Sequence, residues 1–317
     1  MILEVQGLGK RFPLGRRSAL VALEEVSFSL AAGEALGLVG ESGCGKTTLS
    51  RIIARLADPT CGSIRFEGEE IGTTPASRFA RHRARGAIQL VFQDATDSLN
   101  PRYTAADSIA EPLRRLRGLS GAALAARVVE CARLTGLPEE LLSRYPHQLS
   151  GGQKARIGIA RAIAPEPRLL ILDEPTSALD VSVQAVVLQL LAELRARLGL
   201  TYLFVSHDIN VVRLLCDRVM VMYLGRIAEI GPAARVLDAP RHPYTAALAA
   251  AVPDGTRRRV APAGGEPMSP IDPPATLCRY ASRCPRVQTL CRSLYPPLLD
   301  GVACHFPLSR ATPSVPA

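Results

Sequence analysis

Gly40-Glu41-Ser42-Gly43-Cys44-Gly45-Lys46-Thr47-Thr48 constrains this chain more than any other stretch. It fits G-x-x-x-x-G-K-[ST], a loop whose bare backbone N–H groups cradle phosphates. Its flanks fit as well. Ala35–Val39 is a short apolar run of the kind that forms a buried parallel strand. In Thr48–Leu56, the residues Leu49, Ile52, Ile53 and Leu56 fall on one helical face. A strand, a Gly-rich loop and a helix in that order aim the positive end of a helix dipole at an anion. Gly43 and Gly45 let the backbone approach phosphate oxygens without a Cβ in the way. Lys46 is expected to reach the β- and γ-phosphates, and the Thr47 hydroxyl to bind Mg²⁺. Ser42, Cys44 and Thr48 complete the expected nucleotide-binding set. A chain of this length meets the pattern by chance roughly one time in a hundred.

Composition narrows the class. The 317 residues allow about two domains and an ample core. Apolar residues make up 47%, which supports a folded chain and not a disordered one. Glu4 stands where a basic leader would give way to an apolar stretch, so no signal peptide is expected. No run approaches the roughly 18 apolar residues that a membrane span needs. The reading is a cytosolic chain that is soluble by itself. The net charge of +9 reads as Arg-rich composition plus a phosphate site, since no Lys/Arg run is interleaved with aromatics. No nucleic-acid partner is expected. Arg257-Arg258-Arg259 reads as a solvated linker. Eight cysteines in a cytosolic chain argue against disulfides. Cys44, Cys61, Cys131 and Cys216 are scattered and read as small apolar fillers.

Along the chain, Ile2–Val5 alternates like an edge strand, and Leu23–Leu30 alternates too before Ala31–Glu34 turns into the P-loop strand. Ile64–Phe66 reads as a strand, and Ile88–Phe92 as a buried one with Gln93-Asp94 after it. From about residue 95 to 165 strand signals give way to helical periodicity, notably at 108–117 and 122–134, which predicts an inserted helical subdomain. A helix opens after Leu149 and runs to about Ile163. Arg168–Pro175 is an apolar strand ending in Asp173 and Glu174, Val183–Leu198 a helix, and Thr201–Val205 a buried strand ending at Ser206-His207-Asp208. Arg218–Tyr223 and Arg226–Ile230 read as closing strands around Leu224-Gly225. Strands alternating with helices predict a doubly wound α/β sheet with its site at the carboxyl ends of the strands. After about residue 240 the chain turns Pro-, Ala- and Arg-rich, so 241–317 reads as a small extension without a large core.

Several residues carry the expected chemistry. Asp173 ends a buried strand beside the P-loop and would hold Mg²⁺, commonly through water. Glu174, one residue on, points elsewhere and would act as general base on the attacking water. His207 would bond the γ-phosphate and that water, and Gln93 would bridge it to Mg²⁺. Phe12 comes after Lys10-Arg11 and reads either as a partly buried aromatic or as a ring stacked on adenine. Leu149-Ser150-Gly151-Gly152-Gln153 opens a helix, with Ser150 and Gln153 spaced as a capping box. Two glycines there cost about 1 kcal/mol each. What they provide is a helix start that a phosphate can approach. One P-loop already serves one nucleotide, so a second phosphate-facing helix start implies a second nucleotide and a dimer. Cys278, Cys284, Cys291 and Cys304 are spaced more widely than ordinary zinc ligands. Four thiolates on a Pro-rich segment can hold a [4Fe–4S] cluster, and zinc or free thiols stay open.

Taken together, the P-loop at 40–48, Gln93, Leu149–Gln153, Leu169–Glu174, Ser177-Ala178-Leu179-Asp180 and His207 resemble the nucleotide-binding domain of ABC ATPases over about residues 1–235. Lys154-Ala155 departs from the family's usual Gln or Arg there, away from any catalytic atom. The resemblance implies a mixed sheet core with an antiparallel β edge and a helical subdomain, and after them a small Cys-rich C-terminal extension. It implies ATP as ligand and a head-to-tail dimer. In that dimer Ser150, Gly151, Gly152 and Gln153 meet the nucleotide held by the other P-loop, Asp180 communicates across the interface, and Phe12 stacks on adenine. His242-Pro243-Tyr244-Thr245-Ala246-Ala247-Leu248, Ser98–Arg102, Arg283-Cys284-Pro285 and Ala303-Cys304-His305 are similar to the oligopeptide/dipeptide/nickel importer ATPases. That family pairs two different ATPase chains at the cytoplasmic face of the membrane, beneath two permease subunits fed by a substrate-binding protein. It implies a [4Fe–4S] cluster on the four tail cysteines. Peptides, nickel chelates, glutathione and opines are all cargoes of such importers, and a non-transport ABC ATPase is the outlying alternative.

Overall fold

The chain opens with a long antiparallel hairpin, β1 (Leu3–Leu14) and β2 (Ser18–Leu30). The computed structural model describes residues 1–251 and 265–309; Arg257–Arg259 lie outside them. With β4 (Cys61–Phe66) and β5 (Glu69–Glu70), the hairpin forms a four-stranded antiparallel sheet in the order β2-β1-β4-β5. The start of β1 is therefore no edge. It is paired on both sides, by β2 and by β4. Alternation cannot count a strand's neighbours, and bulges after Val5, Leu8 and Lys10 break the period that would have revealed the strand's full length.

The second sheet has the order β10-β9-β3-β8-β7-β6. β3 (Ala35–Val39), β6 (Ile88–Val91), β7 (Leu169–Asp173) and β8 (Thr201–Val205) are parallel, as is the β3–β9 pair. All five residues of β3, β7 and β8 are buried, because both faces of this sheet are covered. β9 (Arg218–Tyr223) and β10 (Arg226–Pro232) close it as an antiparallel hairpin around Leu224-Gly225, both at positive φ.

Leu36 and Leu38 of β3 face one core, shared with the first sheet and with α1 (Lys46–Ile53). Ala35 and Val39 face the other, shared with α7 (Val181–Leu198) and α8 (Ile209–Leu215). α1 stops at Ile53, and Leu56 lies outside it, exposed, contrary to the predicted apolar face. Arg55 takes that burial instead, at positive φ, with its guanidinium hydrogen-bonded to Asp58 and to the Thr74 carbonyl. Phe92 likewise falls beyond β6 and is exposed, and Cys61 is an exposed thiol and no filler.

After the short helices α2 (Ala76–Phe79) and α3 (Ala95–Ser98) come α4 (Ala105–Arg117), α5 (Gly121–Leu134) and α6 (Gly151–Ile163). Ile109, Leu113, Val128, Cys131 and Ile157 build their own cluster, the helical subdomain expected from the loss of strand signals. α6 serves two cores. Its Ile157 and Ala160 face the helical subdomain, and its Ala155, Ile159 and Ile163 face the sheet. The chain then runs through α9 (Ala233–Asp238) and α10 (Pro243–Ala250) into the C-terminal extension. Tyr280 of that extension packs with Tyr223 and Tyr244 in the sheet's own core. Among the described residues no helix is long and apolar enough to cross a membrane.

Candidate nucleotide site

Parallel register brings four strand ends to one edge of the second sheet. Leu38 is level with Val205, Val205 with Asp173, and Leu172 with Val91. Just past these ends lie the P-loop, His207, Glu174 and Gln93, and they line one cavity of about 470 Å³. Ser42, Gly43, Gly45, Lys46, Thr47 and Thr48 form its polar side. Phe12, Leu20, Val21, Ala22 and Pro270 form an apolar side.

The loop is built around Gly45, which caps α1 at φ +105° with no side-chain cap. A Cβ there would lie 2.5 Å from the Ala22 carbonyl oxygen, so only glycine fits. The first N–H groups of α1 therefore stay available to an anion. Lys46 Nζ donates to the carbonyls of Gly40 (2.8 Å) and Glu41 (3.0 Å), which hold the ammonium across the loop. Cys44 offers only its backbone. Its thiol is buried in the core, where desolvation raises its pKa, and it does not line the cavity.

Asp173 is buried, and burial, then the Glu174 charge, pushes its pKa up to about 6. The Arg51 and Lys46 charges and the neighbouring Thr47 hydroxyl pull it the other way, while Oδ1 has no partner among the described residues. An orphaned carboxylate oxygen beside a hydroxyl is the hard oxygen set that Mg²⁺ takes, so these residues fit the ion. Glu174 turns away from Asp173 because its backbone is left-handed, φ +48°, and its N–H is fixed on the Val205 carbonyl at 3.0 Å. That conformation costs about 1 kcal/mol or more in a non-glycine residue. Its result is that Glu174 Oε2 lies 3.1 Å from Gln93 Nε2 and 3.1 Å from His207 Nδ1.

A second group of expected residues gathers elsewhere. Ser150 Oγ accepts from the Gln153 N–H at 3.3 Å and Gln153 Oε1 accepts from the Ser150 N–H at 2.9 Å, the predicted capping box. The N–H groups of Gly151 and Gly152 and the Ser150 hydroxyl proton are outside that box. Gly152 also fills a packing role that its spacing does not reveal, since a Cβ there would meet Val183 Cγ1 at 2.6 Å. Asp180 accepts from the Ser182 hydroxyl at 2.7 Å and caps α7 by accepting from the Val183 N–H at 2.9 Å, bonds that hold its pKa below the usual carboxylate value. None of Ser150, Gly151, Gly152, Gln153 or Asp180 lines the chain's own P-loop cavity.

Cys278, Cys284, Cys291 and Cys304 line a separate small cavity beside His242 and Tyr280, and all four are free thiols. Burial raises Cys278 to about 11 and also lifts Cys284 and Cys304. Yet among the described residues no three Cys, His, Asp or Glu side chains are arranged to hold a metal ion. The fold gathers the thiols without drawing them into a ligand set.

Leu20–Ala22, Pro270, Tyr244 and Arg283 carry no sequence signal for the site. Tyr244 Oη accepts from the Glu41 N–H at 2.9 Å, and Arg283 Nη1 bonds the Glu41 carboxylate at 2.8 Å. No motif marks any of them as site residues; only the alternation of β2 pointed near Leu20–Ala22.

Comparison with known proteins agrees with this geometry. The ABC transporter family model matches residues 23–177, and that of the oligopeptide/dipeptide transporter C-terminal region matches 228–291. A probable peptide ABC transporter ATP-binding protein of Sinorhizobium fredii is 45% identical over 96% of this chain and 89% of its own length. A di/tripeptide transport ATP-binding protein of Pseudomonas aeruginosa is 46% identical over 90% of this chain and 89% of its own. An oligopeptide transport ATP-binding protein of Bacillus subtilis is 43% identical over 96% and 95%. A solved ATP-binding cassette, a dimer in a post-hydrolysis state with ADP and Pi, is 32% identical and covers 73% of this chain and 98% of its own, at a TM-score of 0.67.

Proposed function

The chain belongs to the ABC transporter ATP-binding proteins, a family of P-loop ATPases, and on that premise we propose that it powers a peptide-type importer. The observation that carries the reading is the convergence of Gln93 and His207 on Glu174 at the mouth of the P-loop cavity. Glu174 takes the proton of the attacking water, Gln93 orients that water, and His207 holds the γ-phosphate side. Ser42–Thr48 bind the phosphates through backbone N–H groups and the Lys46 ammonium, and Phe12 meets the base. Thr47, Gln93 and Asp173 would hold Mg²⁺, which when bound neutralises charge on the β- and γ-oxygens.

Ser150, Gly151, Gly152, Gln153 and Asp180 serve the nucleotide of a second ATPase subunit, a different chain of the same kind. Their absence from the chain's own cavity supports that reading. Two ATP molecules then close the pair, and hydrolysis reopens it against two permease subunits fed by an extracytoplasmic binding protein. The chain sits at the cytoplasmic face of the cell membrane, with residues up to about 240 as the ATPase domain and 241–317 as the extension, a division that the C-terminal-region match over 228–291 supports in outline. The peptide assignment rests on the relatives' cargo, and a cognate binding protein that co-purifies with a nickel chelate, glutathione or an opine would replace it.

Glu174→Gln tests the base assignment in the reconstituted transporter. Turnover is expected to fall about 100- to 10,000-fold with ATP binding retained; undiminished hydrolysis would remove Glu174 from the mechanism. On the likeness of the tail to the oligopeptide-type family, Cys278, Cys284, Cys291 and Cys304 are proposed to hold a [4Fe–4S] cluster; they share one cavity and would have to draw together to ligate it. The cluster would cross-link a segment that has little core of its own. Anaerobically purified protein is expected to be brown with bound iron and sulfide, and Cys304→Ser colourless; colourless, iron-free wild type would end the proposal.

A further inference from the structure

The apolar side of the nucleotide cavity is not made by the ATPase sheet alone. Pro270, far down the chain in the C-terminal extension, is one of its lining residues. The segment that carries it is laid along the free edge of β2. Val21 N–H donates to the Pro270 carbonyl at 3.0 Å, and Asp272 N–H to the Ala19 carbonyl at 3.0 Å. Ala19 N–H donates to Asp272 Oδ1 at 3.0 Å, and Leu20 forms an antiparallel bridge with Ile271. Ser269 Oγ accepts from the Ile271 N–H at 3.1 Å. These bonds fix the pyrrolidine ring on one side of β2, while Phe12 stands on β1 on the other. The Lys10 ammonium lies 5.0 Å from the centre of the Phe12 ring.

ATP has one end that is almost all charge and one that is a flat, weakly polar heterocycle. The cavity has the same polarity. Its phosphate end is P-loop backbone, Lys46 and Thr47, and its other end is Phe12, Leu20, Val21, Ala22 and Pro270. An apolar ring without a hydrogen-bond donor gains most by covering the heterocycle and removing its face from water. The extension's other bonds keep the segment in place. Arg279 bonds the Leu224 carbonyl and Glu24, and Arg283 bonds Glu41 in the P-loop itself.

We propose that Pro270 is a nucleotide-contacting residue that packs on the base of ATP across β2 from Phe12. The C-terminal extension thereby forms a wall of the ATP site. The proposal rests on the reading of this cavity as an ATP site, and a ligand without a base separates the two. Equilibrium binding of ATP and of inorganic tripolyphosphate is measured on the full chain as wild type, Pro270→Gly and Pro270→Trp. Pro270→Gly is expected to weaken ATP about three- to ten-fold, the scale of one or two lost methylene contacts, while tripolyphosphate binding is unchanged. Pro270→Trp, which fills the base end, is expected to weaken ATP further and again to spare tripolyphosphate. Retained tripolyphosphate binding also reports that each variant is folded around an intact P-loop. Equal losses for both ligands, or no loss of ATP affinity in either variant, would overturn the proposal. Wild-type protein that binds tripolyphosphate but gains nothing from the adenosine of ATP would do the same. Wild type that binds neither ligand would instead overturn the ATP reading, and the proposal with it.

Discussion

Two helix starts in this chain face phosphates in the proposed function, and they are built in opposite ways. α1 begins at a glycine with no side-chain cap, so its first N–H groups are held open by the loop and wait for an anion. α6 begins at a capping box that already consumes the Ser150 and Gln153 N–H groups. Only Gly151 and Gly152 N–H and the Ser150 hydroxyl proton remain to point outward. The first start is a receptor, unsatisfied until ligand arrives. The second is a finished helix end that lends a few donors. In the proposed function that difference matches the two roles: the P-loop would bind nucleotide within one chain, whereas the Ser150 segment would complete a site it does not build.

The comparison can be broken most forcefully at the open end. Lys46→Ala is expected to weaken ATP about 100-fold, the scale of a charge-assisted bond lost from a phosphate, as read by equilibrium binding. An affinity within a few-fold of wild type would mean that backbone alone makes the receptor. At the capped end two variants separate cap from donor. Ser150→Ala removes both, and is expected to cost about 1 kcal/mol of stability and about tenfold or more in turnover. Ser150→Asp keeps the cap but sets like charge against the phosphate, so thermal stability is expected to survive while ATPase activity in the assembled transporter is lost. Equal stability losses in both would show that Ser150 is not acting as a cap.

Gly152 sharpens the comparison further. Gly to Ala in a helix normally gains about 1 kcal/mol. Here the new Cβ meets Val183 at 2.6 Å, and overpacking of that kind costs about 1–3 kcal/mol. Gly152→Ala is therefore expected to destabilise the chain in a denaturation series, and adding Val183→Ala to restore it. The smallest effect is expected at Arg283→Ala. Its ion pair with Glu41 is partly exposed, so about 0.2–1 kcal/mol is at stake in the unfolding midpoint.

How much the sequence disclosed depends on the range of the interactions. The P-loop, the Asp173-Glu174 strand end and the Ser150–Gln153 box are local patterns whose geometry is set within a few residues, and each was legible. Gly152 reads in the sequence as a phosphate approach, a role still proposed, and its contact with Val183 was not legible, because spacing shows what a glycine permits and not what crowds it. β1 was cut short by its bulges, and Leu56 was misassigned because helical period continues past the residue where α1 ends. Pro270, Tyr244 and Arg283 were invisible as site residues. Their partners on β2 and the P-loop lie some two hundred residues or more away in the chain, as in the 242-residue separation of Arg283 from Glu41. No periodicity or motif encodes such a meeting; it exists only once two sheets and the extension have packed.

The segment from Pro270 to Asp272 has one more consequence. β2 ends its sheet, and an uncovered strand edge is a template on which another chain can add its own strand. The segment occupies the hydrogen-bonding groups of Ala19 and Val21, and its own Ile271 N–H is taken by the Ser269 hydroxyl oxygen. It covers that edge, so a chain cut before residue 265 would leave the hydrogen-bonding groups of Ala19 and Val21 open to another strand.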